Sequence, residues 1–131
     1  MNRVFVNGTF DILHPGHVKL LQYAAGLGNL LVAIDTDRRV RQLKGPGRPF
    51  FNQDERKLML QSLRCVSEVR LFDTDEDLEY LIQTYEPDVM VKGSDYRGRP
   101  IIGEEHVPQI EFFERINEYS STQAIQHITN R

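Results

Sequence analysis

The sequence has few of the features that indicate a membrane protein, a disulfide-rich protein or a nucleic-acid-binding protein. It contains one cysteine, Cys65, so no intramolecular disulfide can form. Its longest apolar runs are far shorter than the roughly 20 residues of a membrane-spanning helix, and it opens on a strand pattern rather than a signal peptide. With 16 basic and 19 acidic residues, the net charge of −3 offers no basic footprint for a nucleic acid. These absences predict a soluble, cytoplasmic protein with neither a membrane nor a nucleic acid as partner.

Two chemical signatures are also missing. No G-x-G-x-x-G fingerprint follows the first apolar segment, which argues against an enzyme that uses a nicotinamide dinucleotide. No Ser-His-Asp or Cys-His set is evident, which argues against a covalent intermediate on the protein. Any chemistry of this chain is therefore expected to depend on binding, orientation and charge.

What the sequence does contain is a regular alternation of short apolar segments and helical patterns. The apolar segments span about residues 3–7, 29–34, 68–72, 88–92 and 110–113. Strands that alternate with helices are typical of βαβ units and of a parallel sheet covered on both faces. The sequence therefore predicts an α/β fold, namely a Rossmann-like, open, parallel five-stranded sheet with helices on both faces, in one domain over residues 1–131.

The middle of the chain carries a basic segment and a strong helix start. Residues 38–51 contain five basic side chains together with several glycines and prolines, and this composition predicts a mobile basic loop. Asn52 and Glu55 have the spacing of a capping box at the start of the next helix. On that helix, Arg56 could reach a phosphate, but an ion pair with an acidic residue at the helix surface is the commoner outcome.

The most informative segment is GTFDILHPGH, residues 8–17, which lies between the first strand and the first predicted helix. The first turn of a helix has unsatisfied backbone N–H groups and the positive end of the helix dipole, and both favour phosphate. His14 and His17 would add donors there, while Gly8 and Gly16 lack a Cβ and let an anion approach the backbone. The segment predicts a site for the phosphates of a nucleoside triphosphate.

The two histidines have other interpretations. They could form a polar patch, or they could be half of a zinc site with Asp11 as third ligand. A structural zinc ion would need further cysteine or histidine ligands, and Cys65, His106 and His127 each stand alone in the sequence. The flanking strand and helix favour phosphate over zinc.

Segment 8–17 resembles the signature of the cytidylyltransferase-like nucleotidyltransferases, small enzymes with an HxGH motif. Further segments resemble the family's later motifs, in the same order and over nearly the whole chain. They are Leu43-Lys44-Gly45 with Arg48-Pro49, Asp54-Glu55-Arg56, Val91-Lys92-Gly93-Ser94-Asp95-Tyr96 and Tyr119-Ser120-Ser121-Thr122.

This resemblance implies roles for particular residues. His14, His17 and Lys44 would be catalytic, and Lys44 with Arg48 would bind the acceptor substrate. The nucleotide would be held by Gly8, Thr9, Phe10, Asp11, Gly16, Asp95, Arg115, Ser120, Ser121 and Thr122. Mg²⁺ is the implied cofactor, because it neutralises phosphate oxygens that would repel an anionic acceptor, and Asp11 would hold it through water.

The implied reaction moves a nucleoside monophosphate from a nucleoside triphosphate to a phosphorylated small molecule and releases pyrophosphate. The pattern K-G-x-x-R-P followed by V-K-G-x-D-Y resembles the branch that adenylylates heptose 1-phosphate. The chain length and Arg115 resemble the glycerol-3-phosphate cytidylyltransferase branch. ATP is placed ahead of CTP, and a nucleotide-binding module without catalysis is the alternative from another class.

The resemblance also bears on assembly, since family members of this size are commonly homodimers. The helix after Asn52 carries Leu58, Met59, Leu60 and Leu63, which cover more of its circumference than one core face requires. The sequence therefore predicts that part of this helix contacts a second copy of the chain.

Overall fold

The computed structural model describes residues 2–114 and contains one parallel sheet in that part of the chain. Its strands are β1 (Arg3–Gly8), β2 (Asn29–Asp35), β3 (Glu68–Phe72), β4 (Val89–Gly93) and β5 (Gln109–Phe113). They pair in the order β3-β2-β1-β4-β5, and every neighbouring pair is parallel. The predicted five-stranded Rossmann-like sheet is confirmed, and each strand boundary falls within one residue of the prediction.

Helices cover both faces of the sheet, as predicted. They are α1 (Pro15–Ala25), α2 (Asp37–Lys44), α3 (Gln53–Gln61) and α4 (Asp75–Tyr85). Leu21 of α1 and Leu60 of α3 pack with one apolar cluster of the sheet, whereas Ile82 of α4 packs with the other. Because side chains alternate along a strand, Val4 and Phe5 of β1 belong to different clusters. No helix among the described residues is long and apolar enough to cross a membrane.

The segment after β2 differs from the predicted basic loop over residues 38–51. Asp37–Lys44 form α2, whose first turn is capped by the Thr36 hydroxyl and whose Val40 side chain is buried. Arginine, glutamine, leucine and lysine are good helix formers, and the glycines and prolines that predicted a loop all follow the helix. The helix ends at Gly45, where a φ of 99° favours glycine. The loop is therefore much shorter than predicted.

The start of α3 agrees with the sequence, whereas one of its side chains does not. Asn52 and Glu55 form the predicted capping box. Arg56 forms an ion pair with Asp37 at 2.8 Å, but its side chain is buried instead of lying on the helix surface. Its guanidinium also donates to backbone carbonyls, so it joins α3 to the carboxyl ends of β1 and β2.

The strand order determines where a ligand would bind. From β1 the chain moves to β2 and β3 on one side, and then returns to β4 and β5 on the other side of β1. In open parallel sheets of this kind, ligands bind beyond the carboxyl ends of the strands, where the strand order reverses. Here that position is the crevice between β1 and β4.

Candidate active site at the carboxyl edge of the sheet

A cleft of about 480 Å³ opens at this crevice, within the usual volume range of small-molecule sites. It is lined by the carboxyl ends of the central strands, the first turn of α1, part of α2 and the segment after β4. The predicted site residues that line it are Gly8, Thr9, Phe10, His14, Gly16, His17, Lys44 and Asp95. The tertiary structure thus brings together residues from three of the motifs that the sequence analysis singled out.

The two histidines are held by the start of α1. His14 is the N-cap residue, and its Nδ1 accepts the backbone N–H groups of Gly16 at 3.1 Å and His17 at 3.4 Å. Since Nδ1 accepts, the proton of the neutral ring lies on Nε2. The His14 and His17 rings stack with their centroids 3.7 Å apart, and the Phe10 ring contacts His17 edge-on. This arrangement fixes both imidazoles at the helix N-terminus, where a phosphate is favoured.

The arrangement does not favour zinc. Among the described residues, the one group of three possible metal ligands within reach of one another is Glu79, Glu105 and His106, which does not include the stacked histidines. One ring nitrogen of His14 is already engaged in capping the helix.

The turn after β1 depends on a close approach between Gly8 and Phe10. Phe10 has a φ of 49°, in the left-handed region, and its ring is buried. A Cβ on Gly8 would lie 3.0 Å from that ring. Glycine at this position therefore allows the turn to fold back beneath the histidines.

Asp11 and Arg48, two predicted ligand-binding residues, do not line the cleft. The buried Asp11 carboxylate accepts the backbone N–H groups of Phe50 at 2.8 Å and Phe51 at 2.9 Å. The Nε of Arg48 lies 3.6 Å from the same carboxylate. These contacts hold the loop between α2 and α3 against the turn after β1, and the predicted ligand-binding roles of both side chains stay predictions.

Lys44, the last residue of α2, is an exposed side chain that lines the cleft. Loss of solvation lowers the pKa of Lys44 from its ordinary value, and the charge of Arg48 lowers it further. The carboxylates of Asp35 and Asp11 act in the opposite direction. Lys44 thus lies where the resemblance predicts a catalytic cation, although it lies on a helix and not in a loop.

Asp35 and Arg39, at and just after the end of β2, also line the cleft, although neither of them had a predicted role. Arg39 donates from Nε to Asp35 at 2.9 Å and from Nη2 to Asp75 at 2.8 Å, and its guanidinium lies over the Phe72 ring. The Thr9 hydroxyl donates to Asp35 at 3.4 Å. The signal in the sequence was a charged residue directly after a continuous apolar strand, in a fold whose ligands bind at that edge.

Lys92 also lines the cleft, and although it lies in one of the motifs quoted above it had no predicted role. Its Nζ donates to Oδ1 of Asn7 at 2.8 Å and lies 4.8 Å from the centre of the Tyr96 ring. Burial lowers the pKa of Lys92 to about 8, against the raising effect of Asp35 and Asp95. The available signal was a lysine within the otherwise apolar strand VMVKG.

The remaining predicted residues follow β4. Asp95 lines the cleft from the 3₁₀ turn Ser94–Tyr96 that follows β4. Four predicted phosphate-binding residues lie outside the described residues, namely Arg115, Ser120, Ser121 and Thr122. Their roles stay predictions.

The sheet order, the histidine-capped helix and the cleft between β1 and β4 together define a nucleotide-binding α/β domain. The family model described as "Cytidylyltransferase-like" matches residues 5–127, and the chain belongs to that family. The chain is thereby placed among the nucleotidyltransferases, in agreement with the resemblance of its motifs.

The chain is also similar to particular relatives and to a solved structure. The chain is 43% identical, over 98% of its length, to the bifunctional protein HldE of Syntrophotalea carbinolica, and 43% identical over 95% of its length to that of Campylobacter fetus. It spans about a quarter of these relatives, 27% in each case. Among solved structures, the lipopolysaccharide core biosynthesis protein from Thermoplasma volcanium superposes with a TM-score of 0.70 at 26% identity, covering 87% of this chain and 98% of that one.

Proposed function

We propose that the chain transfers adenosine monophosphate from ATP to the phosphate of a phosphorylated sugar, with heptose 1-phosphate as acceptor, and releases pyrophosphate. The observation that carries the proposal is the stacked His14 and His17 pair at the N-terminus of α1, inside the cleft. The HldE relatives and the V-K-G-x-D-Y segment support the choice of acceptor. Lys44 supplies further positive charge along the same cleft.

The residues present suit a reaction without a covalent intermediate on the protein. An oxygen of the acceptor phosphate attacks the α-phosphorus of ATP, the bond to the β-phosphate oxygen breaks, and pyrophosphate leaves with the electron pair. The acceptor oxygen is already anionic near neutral pH, so no general base is needed. The imidazole N–H groups and the first turn of α1 stabilise the charge that develops on the phosphates, and positioning supplies much of the rate.

Magnesium is part of this proposal. The described carboxylates that line the cleft are Asp35, Asp95 and Glu114, and Asp35 already pairs with Arg39. Mg²⁺ in nucleotide sites is commonly bound by substrate phosphates and water together with one or two carboxylates. When bound with ATP, it would neutralise phosphate oxygens in the cleft that these carboxylates line.

A panel assay tests the substrate assignment. ATP and CTP are each incubated with heptose 1-phosphate and with glycerol 3-phosphate, with Mg²⁺, and pyrophosphate is measured. The expected result is that pyrophosphate is released only when ATP is paired with heptose 1-phosphate. Release with CTP and glycerol 3-phosphate would replace the proposal by the cytidylyltransferase branch, and no release with any pair would favour a binding module.

The same assay tests the histidines. His17→Ala should lower turnover by about 10²–10³, the range for removing one preorganised donor to developing charge. His106→Ala is the matched control, because His106 lies outside the cleft and contacts Glu79 and Gln83. Turnover of His17→Ala within a few-fold of the parent would place the reaction centre elsewhere.

We also propose that the chain forms a homodimer through α3. Leu58 is 64% exposed and Met59 is 37% exposed, while Leu60 on the same helix is fully buried. A stable two-fold contact through this face should bury more than about 1,000 Å² in total. Light scattering is expected to give twice the single-chain mass of 15.2 kDa for the parent. For Leu58→Ser it should give the single-chain mass. The single-chain mass for the parent at micromolar concentration would contradict the dimer.

A further inference from the structure

The crevice between β1 and β4 is bridged by one side chain. Lys92 belongs to β4, Asn7 belongs to β1, and the Nζ of the lysine donates to Oδ1 of the amide at 2.8 Å. These two strands are neighbours at the point where the strand order reverses. An ammonium group is thus fixed at the position where an open parallel sheet binds its ligand.

The protein satisfies this ammonium group only in part. Lys92 is 9% exposed, and an ammonium has three N–H donors. The described residues give it one hydrogen bond, to Asn7, and one aromatic contact, with the Tyr96 ring at 4.8 Å. No carboxylate of the described residues lies within ion-pair distance of it.

The charges around Lys92 come from several elements. Asp35 at the end of β2 and Asp95 after β4 attract the proton, but burial outweighs them and lowers the pKa of Lys92 to about 8. Arg39, Lys44 and the two histidines line the same cleft. Buried charges in proteins are normally paired, and an unpaired one is expensive to keep. An anion brought by a ligand would complete the site.

We propose that Lys92, positioned by Asn7 across the β1–β4 crevice, directly binds a phosphate oxygen of the substrate. The proposal rests on the proposed function, because it assumes that phosphorylated ligands occupy the cleft. The oxygen belongs either to the nucleotide or to the acceptor phosphate, and the two sources share this chemistry. The structure assigns the position and the class of ligand atom, and binding experiments identify the source.

Proton uptake on binding gives a readout that needs no variant. At pH 8.5 a lysine with a pKa of about 8 is mostly neutral, and an anion would restore its charge. Calorimetric titration with ATP in two buffers of different ionisation enthalpy should therefore show uptake of about half a proton or more per bound ligand. The same titrations are repeated with CTP, with inorganic phosphate and with heptose 1-phosphate.

Two variants of Lys92 and one control test whether Lys92 is the group that takes up the proton. Lys92→Met should abolish the uptake and weaken binding about ten- to a hundredfold, the range for a lost hydrogen bond to a charged group. Lys92→Arg should retain binding without proton uptake, because a guanidinium keeps its charge. Lys19→Met is the matched control, an exposed lysine of α1 outside the cleft, and it should behave as the parent.

The outcomes separate this proposal from the proposed function. Uptake with ATP or CTP assigns the oxygen to the nucleotide, and uptake only with inorganic phosphate or heptose 1-phosphate assigns it to the acceptor. If proton uptake depended on Lys92 but the protein released no pyrophosphate, the proposed reaction would be refuted. The proposal that Lys92 binds a phosphate oxygen would still hold. If the parent and Lys92→Met bound the ligands with equal affinity and took up equal numbers of protons, Lys92 would not bind a phosphate oxygen. This holds whether or not the parent is active.

Discussion

Two cationic side chains are buried in the described part of the chain, and they are held in different ways. Arg56 is 1% exposed and Lys92 is 9% exposed. The guanidinium of Arg56 makes four hydrogen bonds between 2.8 and 3.0 Å, and its acceptors are the carbonyl oxygens of Thr9, Asp35 and Phe51 and the carboxylate of Asp37. The ammonium of Lys92 makes one hydrogen bond, to a neutral amide.

The difference separates a structural cation from a binding cation. Arg56 has an anionic partner and fixed acceptors on several segments, so its burial holds α3 and the ends of two strands together. Lys92 has neither an ion-pair partner nor a full set of acceptors among the described residues, although it lines the cleft. Burial alone does not identify a functional residue, whereas burial with unsatisfied donors beside a cavity points to a ligand.

The largest expected effect on folding concerns Arg56. Arg56→Met should lower the free energy of unfolding by about 3–5 kcal/mol, because it leaves the Asp37 carboxylate and several carbonyls without their partner. Chemical denaturation measures this change. Arg41→Met, an exposed arginine of α2, is the control and should change the value by less than about 0.5 kcal/mol. If Arg56→Met lowered the free energy of unfolding by less than about 1 kcal/mol, Arg56 would not be a structural cation.

The next effect concerns the pH dependence of Lys92. Its pKa in the folded protein is about 8 and its ordinary value is 10.5, so between these values the unfolded state binds more protons and stability rises with pH. From pH 7 to 10.5, the parent should therefore gain about 3 kcal/mol of unfolding free energy relative to Lys92→Met.

Denaturation of both proteins across this pH range tests the expectation. Constant effects of the substitution, such as the unpaired Asn7 amide, cancel in the difference between the two curves. Parallel curves would show that Lys92 titrates normally, and the contrast with Arg56 would then rest on hydrogen bonds alone.

Local signals in the sequence were sufficient for much of the fold. The five strands were predicted to within one residue because continuous apolar runs are typical of buried parallel strands. The capping box of Asn52 and Glu55 was predicted because both partners lie within one helical turn.

Features that depend on distant residues were not predicted. Lys92 and Asn7 are 85 positions apart, and Arg56 is 47 positions from Thr9, so no local pattern shows that these groups meet. The helix α2 was missed because the glycines and prolines just after it dominated the interpretation of the whole basic segment. Asp11 was interpreted as a ligand-binding residue, and its bonds to Phe50 and Phe51 appear only when two loops pack together.

The smallest expected effect on folding concerns Lys44, the exposed counterpart of the two buried cations. Lys44→Ala should change the unfolding free energy by less than about 0.5 kcal/mol, because the side chain is exposed and the described structure gives it no ion pair. It should nevertheless weaken binding of ATP with Mg²⁺ by about tenfold or more, since a charged donor to phosphate would be lost.

Lys57→Ala, on α3 and outside the residues that line the cleft, is the matched control for binding. Titration calorimetry and denaturation are carried out on the same preparations, so that a loss of affinity cannot be attributed to unfolding. Unchanged affinity with unchanged stability would exclude Lys44 from the site. Lost stability with unchanged affinity would make it a structural residue like Arg56. Only a loss of affinity at constant stability places it with Lys92, as a cation whose partner is the ligand.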